Sequence, residues 1–510
     1  MEQKNKKKIS TQTIIKLLLA VVLLGLSAFL LKGDVWTFWT WWLLAGVMGF
    51  AAMPVTGRLF WRFEDKGWIF SKVLAIAATG FLTWFLTAIR LIPFNALTCA
   101  AVTILCAVIC FFLLRKESKE KTECFPVDRI SLIYWEELLF FLAFLMWTYL
   151  AGFRPAAYGT EKFMDYGFME AMMRSTTLPA RDLWYSEGHI NYYYGGQYFA
   201  VFLTKLSHTK VELTYNLMRT FVAGLAFAMP FSLVYQMMSD RMKGLQKSEK
   251  VIKGLPFAAG FTAGTAVSIA GNMHYVIYAQ IIPLIEKLTG KEVSSYWFPD
   301  ATRYIGYNPY REEDRTIHEF PCYSFVLGDL HAHVVNIMFV LLVIALLYVW
   351  LRGVRKKTVP VETSMKDGKF WKEQLLMPHL LVISALLGMF QWTNFWDFVI
   401  YYVVTLGTVL FANIIRFQGK IKKIIVVTFA QMAEIYLLAY LVILPFTLQF
   451  DTMVDGIGIA KYHSYFYQLL VLWGLPAVLT ITFVISILWE KLRGRSEERR
   501  VGKECRSRWS

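Results

Sequence analysis

Two clusters in this 510-residue chain combine residue types and spacing that suit chemistry. The first is Glu161 and Asp165, four apart in GTEKFMDYGFMEAMMRS, where Phe168, Met172 and Met173 recur with a helical period and form an apolar face for the membrane. Asp165 falls at the start of that short helix. It sits there either as a cap or as a first-turn acid: the plain reading is an N-cap, the functional one a carboxylate held at the water–lipid boundary, available as a general base. Glu161 can orient it or share a cation with it. The second cluster is Asp329, His331 and His333 in IHEFPCYSFVLGDLHAHVV. In an extended stretch this i, i+2, i+4 spacing puts all three on one face, a ligand set for a divalent cation such as Mg or Mn. In a helix only Asp329 and His333 are neighbours, and the segment is an ordinary helix start. His318 and Glu319 can join either arrangement.

Other groups suit binding. Arg181, Arg303, Arg311 and Arg315 match an anionic phosphate. Trp184, His189, Tyr192, Tyr193 and Tyr194 offer either a stacking surface for a sugar or lipid or a plain interfacial aromatic belt. Asn394 and Asp397 lie among aromatics in QWTNFWDF, and Asp451, Lys461 and His463 follow in a later polar segment. Arg219 and Glu434 fall inside apolar runs, where an ionisable group is costly and marks either function or an interhelical pair.

The elements that must hold these residues are membrane helices. The chain is 56% hydrophobic and 18% charged, which excludes a disordered or collagen-like chain. Apolar runs predict about twelve spans, near 14–31, 35–53, 72–90, 95–114, 131–151, 213–236, 254–271, 333–351, 375–391, 397–414, 424–446 and 466–489. The net charge of +16 would suggest nucleic acid in a soluble protein. Here Lys and Arg concentrate in alternate loops, so the charge reads as orientation, with the N-terminus cytoplasmic and no nucleic-acid partner. On that topology the long loops 152–212 and 272–332 lie outside. Segment 192–206 is apolar enough to cross, but a crossing there would turn every later basic loop outward. It is therefore expected as a helix on the outer membrane surface.

No cysteine pair has zinc spacing, and Cys99, Cys106, Cys110, Cys124 and Cys322 are too scattered across compartments for a disulfide framework. The tail RSEERRVGKECRSRWS, residues 495–510, resembles a sequencing adapter translated in frame, so the native part is expected to end near Gly494 and to be truncated. This divides the chain into a four-helix membrane region at 1–130, a core at 131–494 and the tail.

The stretches EKFMD, INYYYGG, HEFPCYSFVLGDLHAH and TNFWDF, in that order, resemble the bacterial and archaeal "YYY" family of uncharacterised membrane proteins. Phe163 and Ala332 stand where that pattern has proline. The family in turn resembles, more distantly, the GT-C glycosyltransferases that use polyprenyl-phosphate sugars. This resemblance implies an all-α, GT-C-like helical bundle with surface helices in two outer loops. It also implies Asp165 as the catalytic acid position and Arg219 at the opening of the following span. The expected partner is a polyprenyl-phosphate sugar lipid. A transporter or flippase of lipid-linked solutes, and a non-catalytic envelope-assembly protein, are the alternatives from other classes.

Overall fold

In lipid each backbone N–H and C=O must be paired within its own segment, so apolar runs of this length fold as helices. The computed structural model describes the backbone of residues 10–120, 124–244, 249–354, 365–452 and 458–507. Side chains are described over the same residues except 114–120, 127, 244, 249–253 and 494–507. Among the described residues there is no strand, only the isolated bridges Arg181–His189 and Tyr307–Tyr310. The chain is an all-α polytopic membrane protein.

Its helices are α1 (Thr11–Leu31), α2 (Val35–Leu59), α3 (Trp68–Ala88), α4 (Ala96–Glu120), α5 (Ile130–Ala151), α6 (Lys162–Arg174), α7 (Gly195–Ser207), α8 (Val211–Gly244) and α9 (Glu249–Ser268). They continue as α10 (Ile282–Leu288), α11 (Pro321–Leu327), α12 (Ala332–Val354), α13 (Gly368–Gln374), α14 (Pro378–Thr393), α15 (Phe395–Phe417), α16 (Ile421–Val442), α17 (Leu444–Thr447) and α18 (Phe466–Ser507). Two compact units result: Met1–Ile269 with Ser324–Met453, and Ala270–Tyr323 with Val454–Ser510.

Among the described residues nine helical stretches are long and apolar enough to span, or ten if the pair α13–α14, bent by 56°, forms one. The difference from twelve has three sources. α1 and α2 run as one 49-residue stretch through a single 3-10 turn. The run at 375–391 is the bent pair, and α9 begins among residues whose side chains are not described.

Buried polar groups tie the first unit together. Lys72 of α3 is wholly buried and pairs with Glu137 of α5 at 3.0 Å. Glu137 also accepts from the indole N–H groups of Trp42 (2.7 Å) and Trp68 (2.8 Å), so α2, α3 and α5 meet on one carboxylate. Such a group is tolerated in a span because every oxygen has a donor.

The short helix α7 departs from expectation. Gly195 to Lys205 are all buried, so it lies inside the first unit and not on a lipid surface. Two glycines explain the fit. A Cβ at Gly195 would stand 2.7 Å from Thr393 Cγ2 and 2.8 Å from the Trp392 ring, and one at Gly196 would press on Val335 at 3.3 Å. Only bare backbone lets α7 enter between the end of α14 and the start of α12.

Candidate functional site

Helix α6 buries Lys162, Asp165, Phe168, Met169 and Met172, a single stripe at helical spacing. Asp165 thus occupies a position where an apolar side chain would be ordinary. Of the two positions open to it, Asp165 is the first-turn acid; the N-cap is Glu161, whose side chain makes no capping bond. One expectation is corrected here. The face carrying Phe168 and Met172 is covered by protein, since both are buried, and does not lie on the membrane.

Helix α7 supplies the group that fixes Asp165. Gln197 Nε2 donates to Asp165 Oδ1 at 2.7 Å and to the Leu330 carbonyl at 3.1 Å. At the far end Lys205 Nζ donates to the Met173 carbonyl at 2.8 Å, clamping α6 onto α7. Asp165 Oδ2 is wholly buried and has no hydrogen bond. The imidazole Nδ1 of His331 stands 3.6 Å from it, too far for a hydrogen bond. His331 Nε2 meets Glu161 Oε2 at 2.6 Å. A line of three groups therefore runs from Glu161, 57% exposed, through His331, 23% exposed, to Asp165, wholly buried. Burial pushes the Asp165 carboxyl up to about 7, against the opposing pull of His331 and the Gln197 hydrogen bond.

The segment that delivers His331 begins at Gly328, whose φ of +88° is left-handed and whose Cα faces the Arg219 guanidinium (a Cβ would sit 3.0 Å from Cζ). Arg219 is buried, donates from Nη1 to the Phe325 carbonyl at 2.6 Å and from Nη2 to Asn216 Oδ1 at 2.8 Å, and so supports the turn from below. It is not paired with Glu434, whose Oε1 accepts from the Leu376 backbone N–H at 2.9 Å. Asp329 accepts from Thr160 Oγ1 at 2.7 and 2.8 Å, tying the segment to the turn before α6. His333 stands 3.4 Å from Ser324 Oγ.

The extended arrangement expected of Asp329, His331 and His333 stops at residue 331, because α12 begins at Ala332. Among the described residues no three His, Cys, Asp or Glu side chains are grouped to hold a metal ion. Asp329, His331 and His333 are thus not drawn together as one ligand set in this structure. Asp329 is occupied with Thr160, and His331 with Glu161.

The aromatic groups divide. Tyr194 is buried and structural: its hydroxyl accepts from Trp84 Nε1 at 3.0 Å, and Trp84 stacks on Trp392 at 4.3 Å. Tyr192 is half-buried and lies 5.8 Å from Phe168, and the exposed Trp184 meets the same ring at 6.0 Å, so both flank the helix that carries Asp165. Tyr193 packs on Phe450 at 5.5 Å. Arg181 and His189 are exposed and form the isolated bridge across the loop that holds Trp184. Asn394 and Asp397 belong to a structural network. Asp397 Oδ2 accepts from Asn394 Nδ2 (2.9 Å) and Asn336 Nδ2 (2.7 Å), while Thr393 Oγ1 donates to Asn336 Oδ1 (2.7 Å). This network locks α12, α14 and α15 beside Gly195.

A sequence profile of uncharacterized membrane proteins, DUF2298, matches residues 78–507. The chain belongs to this family. The match covers every residue of the site above and runs into the basic tail, whose side chains lie outside the described residues. No curated protein and no solved structure matches the chain.

In this DUF2298 protein the expected binding residues His318 and Glu319 fall in the second unit. Burial pushes the His318 imidazole down to about 4, and its backbone N–H donates to the Thr302 carbonyl at 3.0 Å. Arg303 donates to Tyr323 Oη at 3.2 Å, Arg311 to Tyr465 and Arg315 to Tyr310, so tyrosines occupy all three guanidinium groups. Lys461 pairs with Glu313 at 3.1 Å.

Sequence reasoning missed Gln197, Thr160 and Asn336. Gln197 had a signal: it is the lone amide in YYYGGQYFAVFL, where a polar side chain must find a buried partner.

Proposed function

We propose that this protein is a membrane glycosyltransferase that moves a sugar from a polyprenyl-phosphate donor to an acceptor hydroxyl, on the outer face by the charge rule. The observation that carries the reading is the bare Asp165 Oδ2, buried on an oriented carboxylate whose pKa lies near 7, where a general base works best. In the proposed step Asp165 Oδ2 takes the acceptor O–H proton. The acceptor oxygen then bonds to the anomeric carbon, and the bond to the lipid phosphate breaks, its electron pair leaving with the phosphate. His331 covers Asp165 and moves aside to admit the acceptor. The exposed Arg181 is the cation suited to the departing phosphate and the half-buried His333 a further hydrogen-bond donor to it, with or without a divalent ion. Trp184 and Tyr192, beside α6, are the stacking surface for the sugar. The GT-C-like resemblance of the sequence supports the same assignment by analogy.

The test is transfer from lipid-phosphate sugars by purified full-length protein, with and without divalent ions. Asp165→Asn is expected to lower transfer by about 10²–10⁴-fold. Full activity in that variant refutes the base assignment. A transporter reading draws on Glu136, an acid wholly buried in the span α5 beside a second buried acid, Asp65. It predicts donor movement across vesicles without consumption.

A further inference from the structure

One cleft in the first unit is lined by none of the residues around Asp165. It is formed by α2, α3, α4 and α14 and has a volume of about 530 Å³, within the roughly 300–1,000 Å³ of ligand sites. Its lining runs from Leu44 to Val55 on α2, Leu74 to Phe81 on α3, Thr103 to Cys110 on α4 and Leu381 to Met389 on α14. Each stretch is the middle of a helix with the length and apolarity of a span, or of the bent pair α13–α14, so the cleft lies at membrane depth.

Three observations define what can fill it. The first is chemistry. The lining is hydrocarbon with many alanines, and its two hydroxyls are turned away, Thr79 Oγ1 donating to the Ala75 carbonyl and Thr103 Oγ1 to the Cys99 carbonyl, both at 2.8 Å. A site without polar partners does not retain water.

The second is access. Val47 (65% exposed) and Ile104 (62% exposed) line the mouth on the lipid side, while Met48, Leu386 and Met389 are buried at the back. At the end nearest the candidate site, Phe81 and Met389 sit one turn before Trp84 and Trp392, both wholly buried and stacked at 4.3 Å. That stack closes the cleft toward Tyr194 and leaves the lateral mouth as the way in.

The third is length. From Leu44 to Val55 the helix rises about 16 Å at 1.5 Å per residue, roughly half the ~30 Å hydrocarbon core of a bilayer. This is the depth of a chain from one leaflet.

We propose that the cleft between α2, α3, α4 and α14 is a binding site for one acyl chain of a bilayer phospholipid. The chain enters sideways between Val47 and Ile104 and supplies the packing contacts that an unfilled cleft forfeits. Small side chains on four helices keep the space open, and Cys106 and Cys110 of α4 face it. The site is separate from the proposed chemistry at Asp165 and does not depend on it.

The test uses full-length protein in vesicles of phosphatidylethanolamine and phosphatidylglycerol, doped with a phospholipid carrying a diazirine midway along one acyl chain. After irradiation, the labelled peptides are mapped by mass spectrometry. Label is expected on 44–55 and 103–110 in wild type. It should fall several-fold at both peptides in Ala107→Phe, which fills the cleft. Ala101→Phe, on the same helix but outside the lining, controls for folding and is expected to label like wild type. Equal labelling of Ala107→Phe and wild type overturns the proposal. So does labelling by a polyprenyl-phosphate photoprobe that the phospholipid probe does not reproduce. If Ala107→Phe fails to fold, Ala78→Leu on α3 is read in the same way.

Discussion

An acid whose folded-state pKa lies above its unfolded value makes the protein less stable as pH rises, and Asp165 allows that cost to be measured without knowing the reaction. In the unfolded chain its carboxyl titrates near ~3.9, as in model peptides. In the fold it titrates at about 7, chiefly through burial. The folded state therefore holds a proton that the unfolded state has lost throughout the interval between those values. Below ~3.9 both states are protonated and the cost is absent. It grows through the interval and is complete above 7. At about 1.4 kcal/mol per pH unit the full cost is about 4 kcal/mol. Asp165→Asn keeps the shape and an acceptor for Gln197 but cannot ionise. Its stability relative to wild type should thus rise from pH 4 to pH 8 and then level off. Thermal unfolding of both proteins in the same detergent, followed at several pH values, reads this directly. A difference that does not vary with pH refutes the argument, because it would mean that Asp165 is not a buried, proton-holding acid.

Other perturbations test the supports of the site. Gln197→Leu removes the hydrogen bond that the Asp165 carboxylate accepts, and a bond to a charged group is worth about 1.5–3 kcal/mol. The ionised fraction at pH 7 should fall about tenfold or more, and the alkaline shift should appear in a pH–rate profile or in carboxyl infrared bands. Gly328→Ala forces a left-handed φ on a side chain and drives its Cβ to 3.0 Å from Arg219, so a loss of about 1 kcal/mol or more is expected in thermal unfolding. Asn336→Leu leaves Asp397 with the Asn394 amide alone and Thr393 Oγ1 with only the Met389 carbonyl, and should cost about 1–3 kcal/mol in the same assay.

Much of this molecule is legible from its residues, and what is not has identifiable physical causes. Apolar runs fix the helical, membrane-spanning class, because lipid leaves the backbone no alternative. The period of Phe168 and Met172 places a helix with Asp165 near its start. Periodicity reveals that a face is covered but not what covers it, so α6 and α7 read as helices on the membrane surface when in fact protein covers the apolar face of α6 and encloses α7 from Gly195 to Lys205. Tyr194 illustrates the same limit: an interfacial tyrosine and one bonded to Trp84 in the core look alike in sequence. The spacing of Asp329, His331 and His333 makes a ligand set only while the backbone stays extended, and a helix starting at Ala332 breaks it. Gln197 meets Asp165 across 32 residues and Leu330 across 133, separations over which local pattern carries no information.

Those separations bear on how the protein is made. When α6 first emerges, neither α7 nor the segment at 328–331 is in place, and Asp165 is a water-exposed, charged residue like any other. Its enclosure waits for chain synthesised more than a hundred residues later. Closing the site around it favours the protonated acid, so the enclosure of Asp165 draws a proton from the surrounding water in proportion to how far the pH lies above ~3.9 and below about 7.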